Sequence, residues 1–400
     1  MQANRILMLL SNAYDPDPRV RQEALSLLGA GWRVRLIAWD RDLKRPAREN
    51  VEGVEVDRVF VTSTHGRGVT QIFWYVWVYV QMFWRGVRTR FDVVHSHDLD
   101  TLPVGWLLGL IKRRPVVYDA HESFAHMLEG SVPPFVQRGL MALESFLMRR
   151  TALVVTVGEK LRRDLESRGA RHSLVIGNWK RLSEFTRTAE ENARMRQALG
   201  VPPDALLAVC VTHLRTDRQV EELLDAVDRT PRVYALIGGD GVLAARVAEA
   251  AARNPRILYK GFVSGRTIAD YTCAADVIYY GFDAANPNAR YSAPNKLYEA
   301  LAAGRPLITG NFGEIADVVR TAACGIVLER YSAETISAAL STLQDAQVRQ
   351  QMAANALRAG RNSMNWEKGE MVLRDAYAQL TSGSARRPAA VMESTSPPVR

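Results

Sequence analysis

Short apolar runs alternate with longer amphipathic stretches along most of this chain. In the first half the runs are RILMLL, RVRLIAW, FDVVHS, PVVYDA and ALVVTV, and stretches with helical spacing lie between them. Strands that are apolar on both faces are typical of parallel sheets with helices packed on each side. The first half therefore predicts a doubly wound α/β domain.

The alternation stops at 178–190, NWKRLSEFTRTAE, which has no apolar period, and then resumes. The later runs are ALLAVCVTH, RVYALIGG, RILYKGFV, DVIYYGF, PLITG and CGIVLE, each followed by a helical stretch. We therefore predict two Rossmann-like, doubly wound parallel-sheet domains, over 1–180 and 181–362, that face each other across a cleft. Such sheets bind ligands at the carboxyl ends of their strands. The polar tail, 382–400, is predicted to be disordered.

Residues 71–86, QIFWYVWVYVQMFWRG, form an unusually aromatic stretch with three Trp, two Phe and two Tyr. Its apolar part, about 14 residues, is shorter than the roughly 20 residues that a helix needs to span a bilayer. One interpretation is a helix buried against the first sheet. The other is an interfacial patch, with Trp and Tyr at the level of the lipid headgroups and arginines on anionic lipid. The arginines near this stretch are Arg67, Arg85, Arg88 and Arg90.

Composition narrows the choice of ligands and of compartment. The 400-residue chain carries a formal charge of +9, which suits phosphate-bearing ligands or anionic lipid, and no nucleic-acid-binding motif is present. The cysteines, Cys210, Cys273 and Cys324, lie far apart without CxxC spacing, which indicates reduced thiols in a cytoplasmic protein. The amino-terminal residues favour a strand over a secretion signal.

Two polar stretches of the second half lie where a strand is predicted to meet a helix. In ALIGGDG, Gly239 belongs either to a tight turn or to a phosphate-binding helix start, and the motif is not G-x-G-x-x-G. In THLRTDRQVEELLDA, Arg215 and Arg218 form either a solvated charge run or a clamp for a diphosphate. Both arginines lie between a predicted strand and the next helix, which places them at the carboxyl edge of the sheet. Of the two, we favour Arg218 as the ligand.

The stretch 291–306, YSAPNKLYEALAAGRP, predicts a helix of small residues with Pro294 in its first turn. Glu299 lies one turn too deep to serve as a cap, whereas its carboxylate can accept two hydrogen bonds from a ribose diol. The backbone amides of Asn295, Lys296 and Leu297 lie at the helix start, where negative charge is favoured. The stretch therefore favours a nucleotide site.

Polar clusters follow three strands of the first half, in SNAYDPDPR, HSHDLD and DAHES. A lone histidine is more often structural, but clusters at neighbouring strand ends favour a functional role, above all for His121. The Asp-x-Asp tripeptides DPD and DLD match a metal-binding pattern that is also common by chance, and we predict no metal. The candidate residues of these clusters are Asn12, Asp15, His97, Asp98, His121 and Glu122.

In their order along the chain, these motifs resemble those of the family 4 glycosyltransferases, which have the two-domain B-type glycosyltransferase fold. The matching pieces include DVVHSHDLDTLP, VVYDAHES, HLRTDRQVEELLDA, LIGGDG and PNKLYEALAAGRPLI, and the resemblance covers about 5–380. It implies transfer of a sugar, with retention at the anomeric carbon, from a nucleotide-sugar held by the second domain. It also implies that a last helix, 363–381, crosses back to the first domain.

The resemblance also implies roles for single residues. Arg218 stands in the place of the family's diphosphate-binding lysine, Glu299 in that of a ribose-binding glutamate, and His121 in that of a histidine near the donor sugar. The other donor-side residues are Arg215, Gly239, Tyr291, Asn295, Lys296 and Leu297. The residues expected on the acceptor side of the cleft are Asn12, Asp15, His97, Asp98 and Glu122.

The sequence departs from the family pattern at three places. Tyr291 stands where the first glutamate of the family's paired-glutamate motif is expected. Thr212–Leu214 replaces the usual Gly-Arg-Leu, and NAYDPDP replaces a Gly-Gly loop after the first strand. The last two departures shift diphosphate binding onto Arg218 and indicate a differently shaped acceptor side.

The expected function is transfer of a sugar to a hydroxyl of a lipid-linked glycan in cell-envelope or exopolysaccharide biosynthesis, without cofactor or metal. The expected location is the cytoplasm, with residues 71–90 on the inner face of an anionic membrane. Two alternatives stay open: a sugar-nucleotide epimerase of the same fold, and a catalytically silent scaffold, which Tyr291 alone favours. The G-x-G-x-x-G motif of a dinucleotide-dependent oxidoreductase is not found.

Overall fold

The structure is a computed structural model that describes residues 3–14, 17–62, 70–127 and 132–381. The chain divides into two compact units, unit 1 from Met1–Ile176 with Glu370–Arg400, and unit 2 from Gly177–Gly369. Each unit contains its own sheet, built largely of parallel strands, with helices between successive strands. The predicted α/β class with two doubly wound domains is therefore observed. The tail 382–400 lies outside the described residues.

Unit 1 contains an eight-stranded sheet in the order β3-β4-β2-β1-β5-β6-β7-β8. Its strands are β1 (Arg5–Leu10), β2 (Arg33–Asp40), β3 (Arg48–Val51), β4 (Val54–Phe60), β5 (Val93–His97), β6 (Val116–Ala120), β7 (Leu153–Thr156) and β8 (Ser173–Val175). Its helices are α1 (Pro18–Gly29), α2 (Thr70–Arg88), α3 (Asp98–Lys112), α4 (Phe124–Met127), α5 (Pro134–Met148) and α6 (Glu159–Ser167). Every residue of β5 and β6 is buried, as expected for central strands covered on both faces.

The order of the strands determines which face each helix covers. Right-handed crossovers from β4 to β5, from β5 to β6 and from β6 to β7 all move in one direction along the sheet, so α2, α3 and α5 lie on the same face. The connection from β1 to β2 moves in the opposite direction and places α1 on the other face.

The pairing of β3 with β4 is the one antiparallel pair among the described strands. The sequence pattern did not predict this hairpin, because β3 reads RENV and carries hardly any apolar residues. Its two-residue turn places Glu52 at φ 51° and Gly53 at φ 95°, the left-handed conformations that short hairpin turns require.

The aromatic segment is the helix α2, and its two faces differ. Val78 and Met82 are completely buried, whereas Trp74, Trp77 and Trp84 are exposed. The predicted burial against the sheet is therefore confirmed for one face of the helix, and the interfacial patch stays a prediction for the exposed face. Among the described residues, no helix is both long and apolar enough to cross a membrane.

Unit 2 contains a six-stranded parallel sheet in the order β11-β10-β9-β12-β13-β14. Its strands are β9 (Leu206–Val211), β10 (Val233–Gly238), β11 (Ile257–Tyr259), β12 (Val277–Tyr280), β13 (Leu307–Gly310) and β14 (Gly325–Leu328). Its helices are α7 (Ala189–Ala198), α8 (Val220–Arg229), α9 (Ala244–Arg253), α10 (Gly265–Ala274), α11 (Asn295–Ala303), α12 (Gly313–Ala322), α13 (Ala333–Gln344) and α14 (Ala346–Asn362). All three cysteines are buried and free.

The last described helix, α15 (Trp366–Thr381), starts in unit 2 and belongs to unit 1 from Glu370 onward. Arg374 Nε donates to the carbonyl oxygen of Ser26 at 3.0 Å, and Tyr377 Oη lies 2.7 Å from His95 Nδ1. These two contacts tie the carboxyl-terminal helix to α1 and to the central strand β5. The chain thus enters unit 1 twice.

Candidate functional site

The carboxyl ends of β5 and β6 bring several candidate residues of unit 1 to one edge of its sheet. The two strands pair in parallel with His97 opposite Asp119. Asp98 follows directly as the first residue of α3, in the left-handed conformation with φ 61°. His121 follows β6 and directs its main-chain N–H to Asp98 Oδ1 at 3.0 Å.

His121 is held between two carboxylates. Its Nε2 lies 2.7 Å from Asp119 Oδ2, and its Nδ1 lies 3.4 Å from Asp98 Oδ2. Burial opposes a charge on the ring, but Asp98 and Asp119 outweigh burial and raise the pKa of His121 to about 10. The ring is therefore an imidazolium at neutral pH, with both nitrogens directed at carboxylates.

Asp119 is the centre of a buried ionic cluster. Arg19 from α1 donates to both of its oxygens, from Nε at 3.0 Å and from Nη2 at 2.7 Å. Burial raises the pKa of the Asp119 carboxyl, yet Arg19 and His121 together hold that pKa well below its usual range. Glu23, one turn after Arg19, is fully buried with its Oε1 3.2 Å from Arg19 Nη2, and burial raises its pKa to about 8.

Two neutral histidines lie behind this ion pair. Burial lowers the pKa of both His95 and His97, whose rings stack with centroids 4.3 Å apart. His97 Nδ1 lies 3.3 Å from both Asp119 Oδ2 and His121 Nε2, while His95 Nδ1 contacts Tyr377. The His97 ring is therefore neutral, and the neighbouring His121 ring, at the edge of the sheet, is positively charged.

One group of these side chains has ligand types that can hold a metal ion. Glu23, His95, His97 and Asp119 each offer an atom within 4.8 Å of the others. Arg19, however, already places a fixed positive charge on Asp119. Asp98, which belongs to the DLD tripeptide, is not in this group.

The remaining acceptor-side candidates lie apart from the ionic cluster or outside the described residues. Asn12 Nδ2 donates to Asp17 Oδ2 at 2.9 Å, and Asn12 Oδ1 accepts from the Tyr14 N–H at 2.8 Å, so Asn12 shapes the loop before α1. Glu122 follows His121 and is exposed. Asp15 lies outside the described residues.

In unit 2, Arg218 lies at the carboxyl edge of the sheet, in a short 3-10 turn (Thr216–Arg218) after β9. Its Nη1 donates to Tyr280 Oη at 2.6 Å, and its guanidinium lies 4.4 Å from the ring centroid of Phe282. Its Nε is buried without a hydrogen-bond partner. The guanidinium is thus fixed in direction, and its Nε–H makes no hydrogen bond, with the Asp217 carboxylate 3.9 Å away, so this donor can turn to an anion.

The start of α11 is the second part of this edge. Its N-cap residue, Pro294, has no side chain that can accept from the first amides of the helix. Lys296 Nζ donates to Glu299 Oε2, and Glu299 is nearly buried. Asn295 Oδ1 accepts from Lys180 Nζ at 2.6 Å, which adds a further cation next to the helix start.

Strand order places these two parts at neighbouring strand ends. Arg218 follows β9 and donates to Tyr280, the last residue of the adjacent strand β12, and α11 lies in the connection from β12 to β13. Burial raises the pKa of the Cys210 thiol to about 12, while the positive charges of Lys296 and Arg218 both oppose that shift. Cys210 is the second-to-last residue of β9. Arg218 and Lys296 therefore lie around the carboxyl end of this central strand, where doubly wound sheets bind ligands.

The other donor-side candidates have structural partners. Gly239 has φ 139° and its N–H donates to the Gly261 carbonyl at 2.6 Å, so a tight turn accounts for this glycine. Arg215 is exposed and pairs with Asp217 at 3.2 Å. Tyr291 is nearly buried at the end of a 3-10 turn, with the Arg290 guanidinium 5.9 Å from its ring. Leu297 is fully buried.

Sequence reasoning missed several residues that hold these sites together. Tyr280 and Phe282, which orient Arg218, belong to the end of the apolar run DVIYYGF, and their position at a strand end was a usable signal. Arg19 and Asp119 are 100 residues apart in sequence, and nothing in either motif indicates their contact. The other missed residues are Lys180, Glu23, His95 and Tyr377.

Comparison with known proteins gives two domain matches. The glycosyl transferase 4-like domain matches 16–179, and the glycosyl transferases group 1 domain matches 205–345. The two matches fall on the sheets of unit 1 and unit 2. Together they include both candidate edges, from Asp17 to Glu299.

Individual relatives and structures agree with these domains. The chain is 26% identical over 327 residues to a D-inositol 3-phosphate glycosyltransferase of Streptomyces bingchenggensis, covering 76% of this chain and 70% of the relative. It is 24% identical over 233 residues to TuaC of Bacillus subtilis, a putative teichuronic acid biosynthesis glycosyltransferase, covering 57% of this chain and 55% of the relative. The structure of Anabaena HepE in complex with UDP-glucose matches with a TM-score of 0.70 at 15% identity, covering 94% of this chain and 99% of that one.

Proposed function

The chain belongs to the family 4 glycosyltransferases and has their B-type fold, and from that premise we propose that it transfers a sugar, with retention, from a nucleotide-sugar to a lipid-linked glycan. The observation that carries the proposal is the position of Arg218 and of the α11 start, which bears Lys296, at the carboxyl ends of the adjacent strands β9 and β12. A fixed cationic edge beside an uncapped helix start suits a nucleoside diphosphate leaving group. The UDP-glucose complex of the structural neighbour supports the same donor class.

In the proposed donor complex, the diphosphate lies between Arg218 and the first amides of α11, and Glu299 binds the ribose diol. The bond from the anomeric carbon to the phosphate oxygen breaks, and the bond to the acceptor oxygen forms on the same face. The departing phosphate oxygen takes the acceptor's proton. Fixed donors aimed at the developing negative charge are commonly worth about 3–4 kcal/mol in such a step.

His121 is proposed to contact the donor sugar. Both of its ring nitrogens are directed at carboxylates, so the local charge includes Asp98 and Asp119 as well as the imidazolium. The two carboxylates favour positive charge at the anomeric carbon as the bond to phosphate breaks. No metal enters this proposal, because guanidinium, ammonium and helix amides supply the positive charge at the diphosphate.

The proposed acceptor is a lipid-linked glycan of cell-envelope or exopolysaccharide biosynthesis, on the cytoplasmic face of a membrane. Trp74, Trp77 and Trp84 are exposed on α2, and Arg85 and Arg88 form its last turn. Exposed tryptophans beside arginines suit an anionic membrane surface, here met by residues 71–90. The relationship to TuaC, named for teichuronic acid biosynthesis, supports an envelope glycan.

The test is turnover by purified protein with a membrane extract as acceptor source. The donor is chosen by a thermal-shift panel of UDP-, GDP-, ADP- and dTDP-sugars, since a bound ligand stabilises the folded state. Arg218→Ala is expected to lower release of the nucleoside diphosphate at least 100-fold, with an unchanged melting temperature of the free protein. Arg361→Gln, an exposed arginine of α14, is the matched control. Unchanged turnover in Arg218→Ala would contradict the proposal.

The same assay separates two other functions. A sugar-nucleotide epimerase would convert the donor without any acceptor, and a new sugar-nucleotide would appear in its absence. A silent scaffold would bind the donor and transfer nothing, as the replacement of a motif glutamate by Tyr291 would allow.

A further inference from the structure

Exposed apolar side chains of unit 1 are concentrated on three helices, which we call the three-helix surface: the outward faces of α2, α3 and α5. An exposed Trp, Phe, Leu or Ile normally occurs singly on a protein surface, and a contiguous group marks an interaction site. The exposed apolar residues of this surface are Trp74, Val76, Trp77, Val80, Trp84, Leu107, Leu110, Ile111, Phe135, Leu143 and Phe146.

The three helices form one continuous layer. They cover the same face of the sheet, and α3 packs against both α2 and α5. A Cβ added at Gly86 of α2 would lie 2.4 Å from Leu108 of α3, which shows how closely those two helices approach. The rings of Trp106 on α3 and Phe146 on α5 are in edge contact, with centroids 6.0 Å apart.

The charges of this layer are mainly positive. Apart from the first turn of α3, the described parts of the three helices contain one acidic residue, Glu144. It is buried and bonded to Tyr118 and Arg168. Basic residues end α2 and α3 and directly follow α5, so a basic rim borders the apolar area at the edge where the strands begin, and within it Arg114 pairs with Asp92 at 3.4 Å. This rim consists of Arg88, Arg90, Lys112, Arg113, Arg114, Arg149 and Arg150.

We propose that the three-helix surface as a whole docks on a bilayer containing anionic phospholipid, with its aromatic and aliphatic side chains among the headgroups and its basic rim on lipid phosphates. The inference rests on the proposed membrane contact of residues 71–90 and extends it, because α3 and α5 supply more than half of the exposed apolar residues and most of the rim. A surface of this composition binds through apolar area and charge together.

Two features favour lipid over another protein as the occupant. A symmetric dimer pairs this surface with itself, and the described outward faces of the three helices present no acidic patch that could meet the basic rim. The groove between Trp77, Trp84 and Arg88 has a volume of about 410 Å³, and the Arg88 guanidinium lies 5.8 Å from the Trp84 ring. An arginine beside two indole rings suits a phosphate-bearing headgroup at the membrane interface.

The experiment is vesicle flotation of the full chain with phosphatidylcholine vesicles, with or without 30% phosphatidylglycerol — a lipid fraction of about a third chosen to give a negative surface. The variants that test the new part are Leu110→Ser on α3 and Phe135→Ser on α5, two exposed residues that leave α2 intact. Met371→Ser on α15, which packs with α1 on the opposite side of the sheet, is the matched control.

We expect the parent chain to float with the anionic vesicles and to dissociate as salt is raised. Leu110→Ser and Phe135→Ser together should weaken that binding about tenfold, and Met371→Ser should leave it unchanged. Equal binding of the double variant and the parent would overturn the proposal and leave α2 as the sole contact. Equal binding of the parent chain to neutral and anionic vesicles would overturn the proposed role of the basic rim.

Two further measurements keep this inference separate from the proposed function. Sedimentation of the lipid-free chain tests the second-copy alternative, which predicts a dimer that the double variant loses. The nucleotide-induced rise in melting temperature reports the donor site alone, and we expect it in the parent and in every surface variant. If the chain bound vesicles but no nucleotide raised its melting temperature, the donor site would be refuted and the three-helix surface would still be supported.

Discussion

Two neighbouring histidines at the carboxyl ends of β5 and β6 differ in charge, one neutral and one positive. His97 and His121 lie within 3.3 Å of each other, yet burial keeps His97 neutral while Asp98 and Asp119 keep His121 protonated. The difference arises because His121 faces two carboxylates and His97 shares one of them. The charge of the edge is therefore set by partners rather than by residue type.

The protonation of His121 can be measured directly by NMR of the chain labelled in its histidines. We expect the His121 ring to stay protonated through neutral pH and to titrate near 10. Asp98→Asn removes one carboxylate while its side-chain oxygen still accepts the His121 N–H, so the midpoint should fall by about one unit or more.

His121→Gln assigns the resonance, and a midpoint near 6.5 in the parent chain would contradict the account.

The raised pKa of His121 also affects the stability of the fold. Because the folded pKa of His121 is raised, its protonation contributes stability that is fully present below about 6.5 and is lost as pH rises through about 10. Its ion pair with Asp98 weakens on the acid side, because burial raises the pKa of Asp98 to about 7.

Glu299 makes a separate prediction about the nucleotide. Glu299→Gln should weaken binding of the preferred nucleoside diphosphate about tenfold to a hundredfold, since a hydrogen bond to a charged group is worth roughly 1.5–3 kcal/mol. Binding of the 2′,3′-dideoxy nucleotide should be equal in parent and variant. Calorimetric titration of both nucleotides measures this, with exposed Glu249→Gln as the control. If Glu299→Gln weakened binding of the dideoxy nucleotide by the same factor, Glu299 would not bind the ribose diol.

At the scale of elements, α2 shows why an apolar period alone leaves the environment of a helix undecided. Its sequence is apolar nearly all round, and only contact with the sheet and α3 selects Val78 and Met82 as the buried face. The buried strands β5, β6 and β9 could be predicted, because continuous apolar runs have few alternatives. The hairpin of β3 and β4 could not be predicted, because β3 has a polar sequence and is a strand only through its hydrogen bonds to β4.

The two faces of α2 predict different costs of truncation. Met82→Ala creates a cavity in a fully buried site and should lower the free energy of unfolding of unit 1 by about 2–4 kcal/mol. Val76→Ala, on the exposed face of the same helix, should change it by less than about 0.5 kcal/mol. Urea denaturation followed by circular dichroism compares them, and equal destabilisation would show that the exposed face is packed.

At the scale of the whole molecule, the order of motifs along the chain indicated the family and its two-domain fold before any contact was known. The edge positions of Arg218, Lys296 and Glu299 follow from the rule that ligands meet parallel sheets at their carboxyl ends. Their partners could not be foreseen in the same way. Lys180 meets Asn295 and Arg19 meets Asp119 across more than 90 residues of sequence, and only the folded chain brings such pairs together.

The central claim is that unit 2 holds a nucleoside diphosphate between Arg218 and the start of α11. The most direct measurement is the melting temperature of the parent chain and of the Arg218→Ala/Glu299→Gln double variant with UDP, GDP, ADP and dTDP. The account predicts that one of the four raises the melting temperature of the parent, by mass action, and leaves that of the double variant unchanged. No rise with any nucleotide, or an equal rise in the double variant, would contradict it.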